Sequence, residues 1–169
     1  MNIDPFLLWL ESTTLSQWVV GSDSILAFPG ILALHAIGMA FAVGVAAALD
    51  LRVLWVAPRV PLAEMRRFVP ILWVGFWVNA VSGVLLLIGY PTKALTNPVF
   101  YLKLILIAIA IALFVRISRA SAETVGGAAD PVPSPTQRRL AIVSLVCWTG
   151  AITAGRLLAY TYTRLTQSH

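Results

Sequence analysis

Three ionisable side chains lie inside long apolar stretches of this sequence: His35, Lys103 and Arg156. Chargeable groups in such stretches cost roughly 2.5 to 3.5 kcal/mol to insert into a membrane, so they normally face a protein interior or a polar cavity. At a helical rise of about 1.5 Å per residue, His35 lies near the middle of its stretch, while Lys103 and Arg156 lie roughly 8 to 9 Å below one surface. We therefore expect the three groups to line one site that opens to that side.

An imidazole at this depth, with two cations nearer the surface, favours a b-type haem as the cofactor. His35 would supply an axial nitrogen and is the predicted metal ligand, while Lys103 and Arg156 would pair with the two propionates. The remaining histidine, His169, is the terminal residue. The options for the iron are therefore five-coordination, a ligand from another subunit, or a site shared across a symmetric dimer.

Polar side chains near these three groups share helix faces. In the last apolar stretch, polar residues recur at steps of 4, 3, 4 and 3, which aligns them along one face of a helix. We expect this polar stripe to face protein rather than lipid. Its members are Thr149, Thr153, Arg156, Tyr160 and Thr163. Asn79 and Ser82 share a face of an earlier stretch. The predicted cofactor-binding residues are His35, Asn79, Ser82, Lys103, Arg156 and Tyr160.

Two other functions fit the same residues. The chain could be a non-catalytic membrane anchor or assembly subunit of a larger complex, with the polar stripe used for helix packing. It could also bind a quinone or another small molecule, with His35 or Arg156 hydrogen-bonded to a carbonyl oxygen.

The three ionisable groups could also have purely structural roles. His35 would then form hydrogen bonds with Asn79, Ser82 or a backbone carbonyl. Lys103 would then extend to the headgroups and Arg156 would bind a lipid phosphate. Whether the protein is an enzyme stays open.

The composition places the chain among membrane proteins. Of its 169 residues, 59% are hydrophobic and 11% charged, and the mean hydropathy is +0.87. Four stretches, 25–50, 68–90, 98–115 and 140–162, are close to the roughly 20 residues that span a bilayer, and in lipid they must be helices. The predicted fold is an all-α, four-helix transmembrane bundle. Nucleic acid is not an expected partner, because the basic residues flank apolar stretches.

The order of the segments predicts the topology. Residues 1–24 are expected to form an amphipathic helical segment at the membrane interface, and 25–169 the transmembrane domain, with a flexible cytoplasmic loop at 118–139. The loops after the first and third stretches carry eight arginines: Arg52, Arg59, Arg66, Arg67, Arg116, Arg119, Arg138 and Arg139. By the positive-inside rule, both termini are predicted to face the periplasm of a bacterial inner membrane. The lipid bilayer is the expected partner, together with a homo-oligomer or a larger membrane complex.

The string FPGILALHAIGMAFAVGVAAALDLRVLW contains several short motifs in a fixed order. They are Phe28 and Pro29, Leu34 and His35, Gly38, and Asp50, Leu51 and Arg52. This order resembles the signature of a family of small, uncharacterised bacterial four-helix membrane proteins, and the strings PILWVGFWVNAVSGVLL, NPVFYLKL and AGRLLAY are similar to it as well. More distantly, His35 and Lys103 are similar to residues of copper-resistance D-type domains and of the haem-linked protoporphyrinogen oxidase of bacteria. The resemblance implies a four-helix membrane fold and favours haem as the ligand.

Overall fold

The computed structural model describes residues 5–56, 58–123 and 132–166, and all regular structure within those ranges is α-helical. Four helical stretches within them are long and apolar enough to cross a membrane: Phe28–Val53, Glu64–Gly89, Pro98–Ala120 and Pro135–Leu158. The all-helical class and the four candidate spans are therefore confirmed, and they suggest a multi-pass membrane protein. The helices are α1 (Pro5–Glu11), α2 (Thr14–Gly21), α3 (Phe28–Val53), α4 (Leu62–Arg66), α5 (Val69–Gly89), α6 (Pro91–Leu95), α7 (Pro98–Glu123) and α8 (Pro135–Thr166).

Two of the long helices extend well beyond the predicted spans. Helix α7 continues to Glu123 and α8 begins at Pro135, so both ends of the predicted loop 118–139 are helical, and residues 124–131 lie outside the described part of the chain. Hydropathy marks only the apolar part of a helix, whereas its ends depend on capping. At the start of α8 the Ser134 backbone N–H donates to Gln137 Oε1 at 2.7 Å, and the Gln137 N–H donates to Ser134 Oγ at 3.2 Å. This reciprocal capping box starts the helix before the apolar stretch begins.

The segment before the first span forms two short helices rather than one. The Thr13 hydroxyl accepts a hydrogen bond from the Ser16 N–H at 3.3 Å and so caps α2. Helix α2 packs on α5, where Val19 lies against Gly89, and α1 contacts α6. Glu11 Oε1 accepts a hydrogen bond from the Thr92 N–H at 3.4 Å. These contacts place α1, α2 and α6 at one end of the bundle, which we call the capped end.

The four long helices pack as two pairs. Helix α3 packs along α5 and α7 along α8, and the pairs meet through α3 and α8, whereas α5 and α7 hardly touch each other. The α3–α5 pair is very close at Gly38, where a Cβ atom would lie 2.6 Å from the Asn79 backbone nitrogen and 2.7 Å from the Gly75 oxygen. Small residues permit such close backbone approach between helices in membranes.

The hydrophobic core fills the half of the bundle away from the capped end. Its buried side chains include Leu49 of α3, Leu72 of α5, Phe114 of α7 and Trp148 of α8. All four come from the parts of their helices that are farthest from α1, α2 and α6. The half of the bundle near the capped end is therefore less completely filled by side chains.

Two charged residues near the end of α3 are fully buried. Asp50 faces the hydroxyl of the buried Ser144 on α8. Arg52, which the sequence analysis counted as a loop residue, donates from Nε to the Val60 carbonyl, and its guanidinium lies 5.5 Å from the centroid of the Trp55 ring. The turn after α3 thus folds back over the end of the helix and covers the arginine.

Candidate functional site

A cavity of about 660 Å³ lies between the helices in the half of the bundle near the capped end. This volume is within the range of about 300 to 1,000 Å³ that is typical of small-molecule sites. Apolar side chains form most of the wall, including Leu32 of α3, Phe76 of α5, Phe100 of α7 and Leu158 of α8. The polar side chains that line it are His35, Asn79, Tyr90, Lys93 and Lys103.

The His35 imidazole is held in place through its Nδ1 atom. This atom lies 3.0 Å from the backbone carbonyl oxygen of Asn79 and 3.3 Å from Ser82 Oγ. The Asn79 amide nitrogen, a donor, also lies 3.3 Å from Nδ1, but the carbonyl is nearer and only accepts hydrogen bonds, so we assign the proton to Nδ1. The neutral ring therefore keeps its lone pair on Nε2, the nitrogen that is available to a ligand or to another donor.

Side chains of α5 fix the position of this imidazole. Asn79 Nδ2 donates to the His35 backbone carbonyl at 2.7 Å, and Ser82 Oγ lies 2.6 Å from the Val78 carbonyl and 3.1 Å from the Asn79 carbonyl. Gly83 leaves room for the ring, because a Cβ atom there would lie 3.1 Å from His35 Cε1. The short sequence from Val78 to Gly83 thus provides both the hydrogen bonds and the space that the histidine needs.

Lys103 approaches the other side of the imidazole from α7. Its Nζ lies 3.3 Å from His35 Nε2, and the side chain is half-buried. An ammonium group is a donor only, so it donates to the Nε2 lone pair. This contact connects the α3–α5 pair to the α7–α8 pair across the cavity.

A second lysine, which the sequence analysis did not select, also lines the cavity. Lys93 belongs to the short helix α6 at the capped end, and its Nζ lies 5.9 Å from the centroid of the Tyr90 ring. The sequence signal was its position three residues after Tyr90 in a helix that begins with Pro91. The described residues that form the wall of this cavity include no aspartate or glutamate, and Lys93 also interacts with another group of the protein. The cavity therefore combines two lysines, an imidazole and otherwise mainly apolar walls.

The structure does not bring the predicted α8 residues into this cavity. Arg156 and Tyr160 are exposed on the outside of the bundle, with Tyr160 64% exposed, and Gly155 and Leu158 line the cavity instead. Thr149 and Thr153 of the same stripe are exposed as well. Their hydroxyls donate to the carbonyls of Leu145 and Thr149 at 2.8 and 2.9 Å. A threonine that bonds to its own helix needs no protein neighbour, so the stripe does not have to face inward.

Of the six predicted site residues, four come together. His35, Asn79 and Lys103 line the cavity, and Ser82 contacts the imidazole from behind. Within the described ranges no group of three or more His, Cys, Asp or Glu side chains could hold a metal ion. A haem iron needs less from the protein, because the porphyrin supplies four ligands and the chain only the axial ones. Among the described residues that line the cavity, His35 is the one histidine, and Tyr90 is a second side chain of a type that can ligate haem iron.

The cavity thus brings an imidazole and an ammonium group together within mainly apolar walls. His35 Nε2 lies beside Lys103 Nζ, and both side chains line the cavity. Comparisons of the chain with protein-family models, with curated proteins and with solved structures returned no match. Any functional conclusion rests on this geometry and on the sequence motifs.

Proposed function

We propose that this protein binds haem b in the cavity beside His35 and transfers electrons at the periplasmic side of the bacterial inner membrane. The observation that carries the proposal is the orientation of the imidazole. Its Nδ1 is assigned as donor to the Asn79 carbonyl, which leaves the lone pair on Nε2, beside Lys103 in the cavity wall. A hydrogen bond from the second ring nitrogen is the usual way in which proteins orient a ligating histidine and increase its basicity.

In this proposal the chain holds the cofactor at three places. His35 would hold the haem iron, and Lys103 would pair with a propionate. Phe76 and Phe100 are part of the apolar wall that would exclude water from the porphyrin. When bound, the haem would supply one-electron chemistry. The Lys103 ammonium, which lies 3.3 Å from His35 Nε2, would then be directed to a carboxylate.

The distribution of arginines supports a periplasmic position for the capped end. Exposed arginines gather at the opposite end of the bundle: Arg59, Arg66, Arg67, Arg116, Arg119, Arg138 and Arg139. The positive-inside rule then places that end in the cytoplasm and both termini in the periplasm. The cavity lies in the periplasmic half under this orientation.

The absorption spectrum of the detergent-purified protein tests the proposal. Cells supplied with a haem precursor are expected to yield a coloured protein with a Soret band that shifts on reduction. The preparation must be folded and monodisperse, which circular dichroism and size-exclusion chromatography establish. A folded, colourless protein that also fails to take up added hemin would contradict haem binding.

Removal of the Lys103 charge is expected to weaken haem binding through the propionates. Hydrogen bonds to charged groups contribute about 1.5 to 3 kcal/mol, so Lys103→Met should lower the affinity for hemin by about tenfold or more. Hemin dimethyl ester, which has no carboxylates, provides the diagnostic comparison in a spectrophotometric titration. The wild-type protein should prefer hemin over the ester, Lys103→Arg should retain the preference, and Lys103→Met should lose it. An unchanged preference in Lys103→Met would show that the lysine does not pair with a propionate.

A quinone is the second candidate ligand, and the contact between Lys103 and His35 favours it. The ammonium N–H and the Nε2 lone pair lie 3.3 Å apart, so the cavity presents a donor and an acceptor side by side. A quinone carbonyl accepts hydrogen bonds and a hydroquinone hydroxyl both donates and accepts them, and neither requires an axial ligand position. Organic extraction of the purified protein would detect a retained quinone, and Lys103→Met should reduce the amount retained.

The role of a membrane anchor in a larger complex also stays a prediction. The available surface is the exposed polar face of α8, which carries Thr149, Thr153, Arg156 and Tyr160. Copurification of a partner in a fixed ratio, or of a second copy of the chain, would support this role. Such a partner should dissociate when Arg156 and Tyr160 are replaced by leucine.

A further inference from the structure

Other parts of the protein border the cavity towards both ends of the bundle. Towards the capped end, α6 forms part of the wall through Lys93 and Ala94, and α1 packs on α6. The Glu11 side chain contacts the Thr92 N–H between these two helices. Towards the opposite end, the core around Leu72 and Phe114 fills the bundle.

Helices α3 and α8 pack against each other beside the cavity, which His35 of α3 and Gly155 of α8 both line. Helix α3 also packs along α5, and α7 packs along α8. Within the described part of the chain, α5 and α7 approach each other at few backbone positions, although residues of both line the cavity. We take the gap between these two helices as the open side of the cavity.

The exposure of side chains beside this gap supports an opening at the same place. Val84 of α5 and Leu104 of α7 both line the cavity, yet they are 53% and 47% exposed. Both lie near the capped end of helices that are long and apolar enough to span a membrane, five to six residues inside the ends of their spans. Phe100 and Ile107, one turn to either side of Leu104, are also apolar. The gap therefore faces the hydrocarbon region of the bilayer and presents apolar groups to it.

We propose that the ligand of this cavity enters sideways from the bilayer, between α5 and α7. The ligand class is then a membrane-dissolved amphiphile that has a flat or extended apolar body and a polar group that pairs with Lys103. The gap admits the apolar body, and the deeper His35, Asn79 and Lys103 receive the polar group. For haem as the ligand, this inference rests on the proposed function. The route itself is a property of the helix packing.

Loading kinetics in proteoliposomes test the route with haem. The variant V84W/L104W places two bulky side chains at the gap, and V81W/I105W places them on the same helices at positions that are 59% and 57% exposed but do not line the cavity. With hemin dissolved in the bilayer, the first variant should load about tenfold more slowly than the second and reach the same final occupancy. Equal loading rates in the two variants would overturn the lateral route.

A second measurement needs no haem and so separates failure of the route from failure of the proposed function. A nitroxide label is attached to Ala80→Cys, inside the cavity, in a Cys147→Ser background, with labels at Ser24→Cys and Val81→Cys as aqueous and lipid references. Oxygen, which partitions into lipid, should relax the Ala80 label as it does the Val81 label. A water-soluble nickel complex should relax only the Ser24 label. Relaxation of the Ala80 label by the nickel complex would overturn the proposal, because it would place the opening in water.

Discussion

His35→Ala is expected to give a folded but colourless protein. The substitution removes the one histidine among the described residues of the cavity wall, which leaves Tyr90, at the capped end of α5, as the one described lining residue of a usual haem-ligating type. Removal of a residue that hydrogen-bonds to a metal-ligating side chain lowers metal affinity by about 10- to 100-fold. Removal of the ligating imidazole itself should therefore lower haem affinity by more than about 100-fold. The side chain is only partly buried, so the bundle should tolerate the change.

The measurement is a hemin titration of the detergent-solubilised protein, followed at the Soret band. Ser82→Ala serves as the graded comparison, because Ser82 Oγ contacts Nδ1 at 3.3 Å but does not reach the cavity. It should weaken binding by no more than about tenfold. His35→Gly should recover the band when imidazole is added to fill the vacated space. Full haem occupancy in His35→Ala, in a protein with wild-type helicity, would exclude His35 as the ligand.

Gly38→Ala is expected to have the largest effect on the stability of the bundle. The new Cβ atom would lie 2.6 Å from the Asn79 nitrogen and 2.7 Å from the Gly75 oxygen, and both are backbone atoms that cannot rotate away. Helices α3 and α5 would have to separate, and such overpacking costs about 1 to 3 kcal/mol. The same movement would draw the Asn79 carbonyl away from His35, so haem binding should weaken with stability.

Gly44→Ala is the control for this experiment. Gly44 lies on the same helix, and nothing stands within 4 Å of the position of its new Cβ. An alanine in the middle of a helix is more favourable than a glycine by about 0.5 to 1 kcal/mol, so this variant should be as stable as the wild type or more so. Thermal unfolding in detergent, followed by circular dichroism, gives the comparison. Equal unfolding temperatures for Gly38→Ala and Gly44→Ala would refute the close contact between α3 and α5.

The helical class and the shared cavity of His35 and Lys103 could be predicted from the sequence, for one physical reason. A polar group in an apolar span must contact protein or water, so both side chains were expected to face the bundle interior. Their direct contact was not predicted, because depth counted along each helix placed His35 deeper than Lys103. Asn79 and Ser82 follow from the same rule, since each satisfies its hydrogen bonds within the α3–α5 pair.

The position of Arg156 could not be predicted in this way. The depth of a residue in a span does not determine the direction in which its side chain faces. The threonines beside Arg156 donate hydrogen bonds to carbonyls of their own helix, so the polar stripe does not predict which elements pack against it. Helix α8 instead turns its small residues, such as Ala151 and Ala154, to the interior.

The position of Lys93 in the cavity wall could not be predicted from the sequence either. It lies in a polar connection between spans, and only the folding of α6 over the cavity brings it to the site.

The burial of Asp50 has a consequence for the order in which the protein is made. Its carboxyl group faces Ser144, which follows 94 residues later in the chain (144 − 50 = 94). At a synthesis rate of about 5 to 20 residues per second, the ribosome needs roughly 5 to 20 s to produce the partner helix. During that interval the end of the first span has to remain accessible to water or to the insertion machinery. Final burial of this acid therefore occurs only after the last span has been translated.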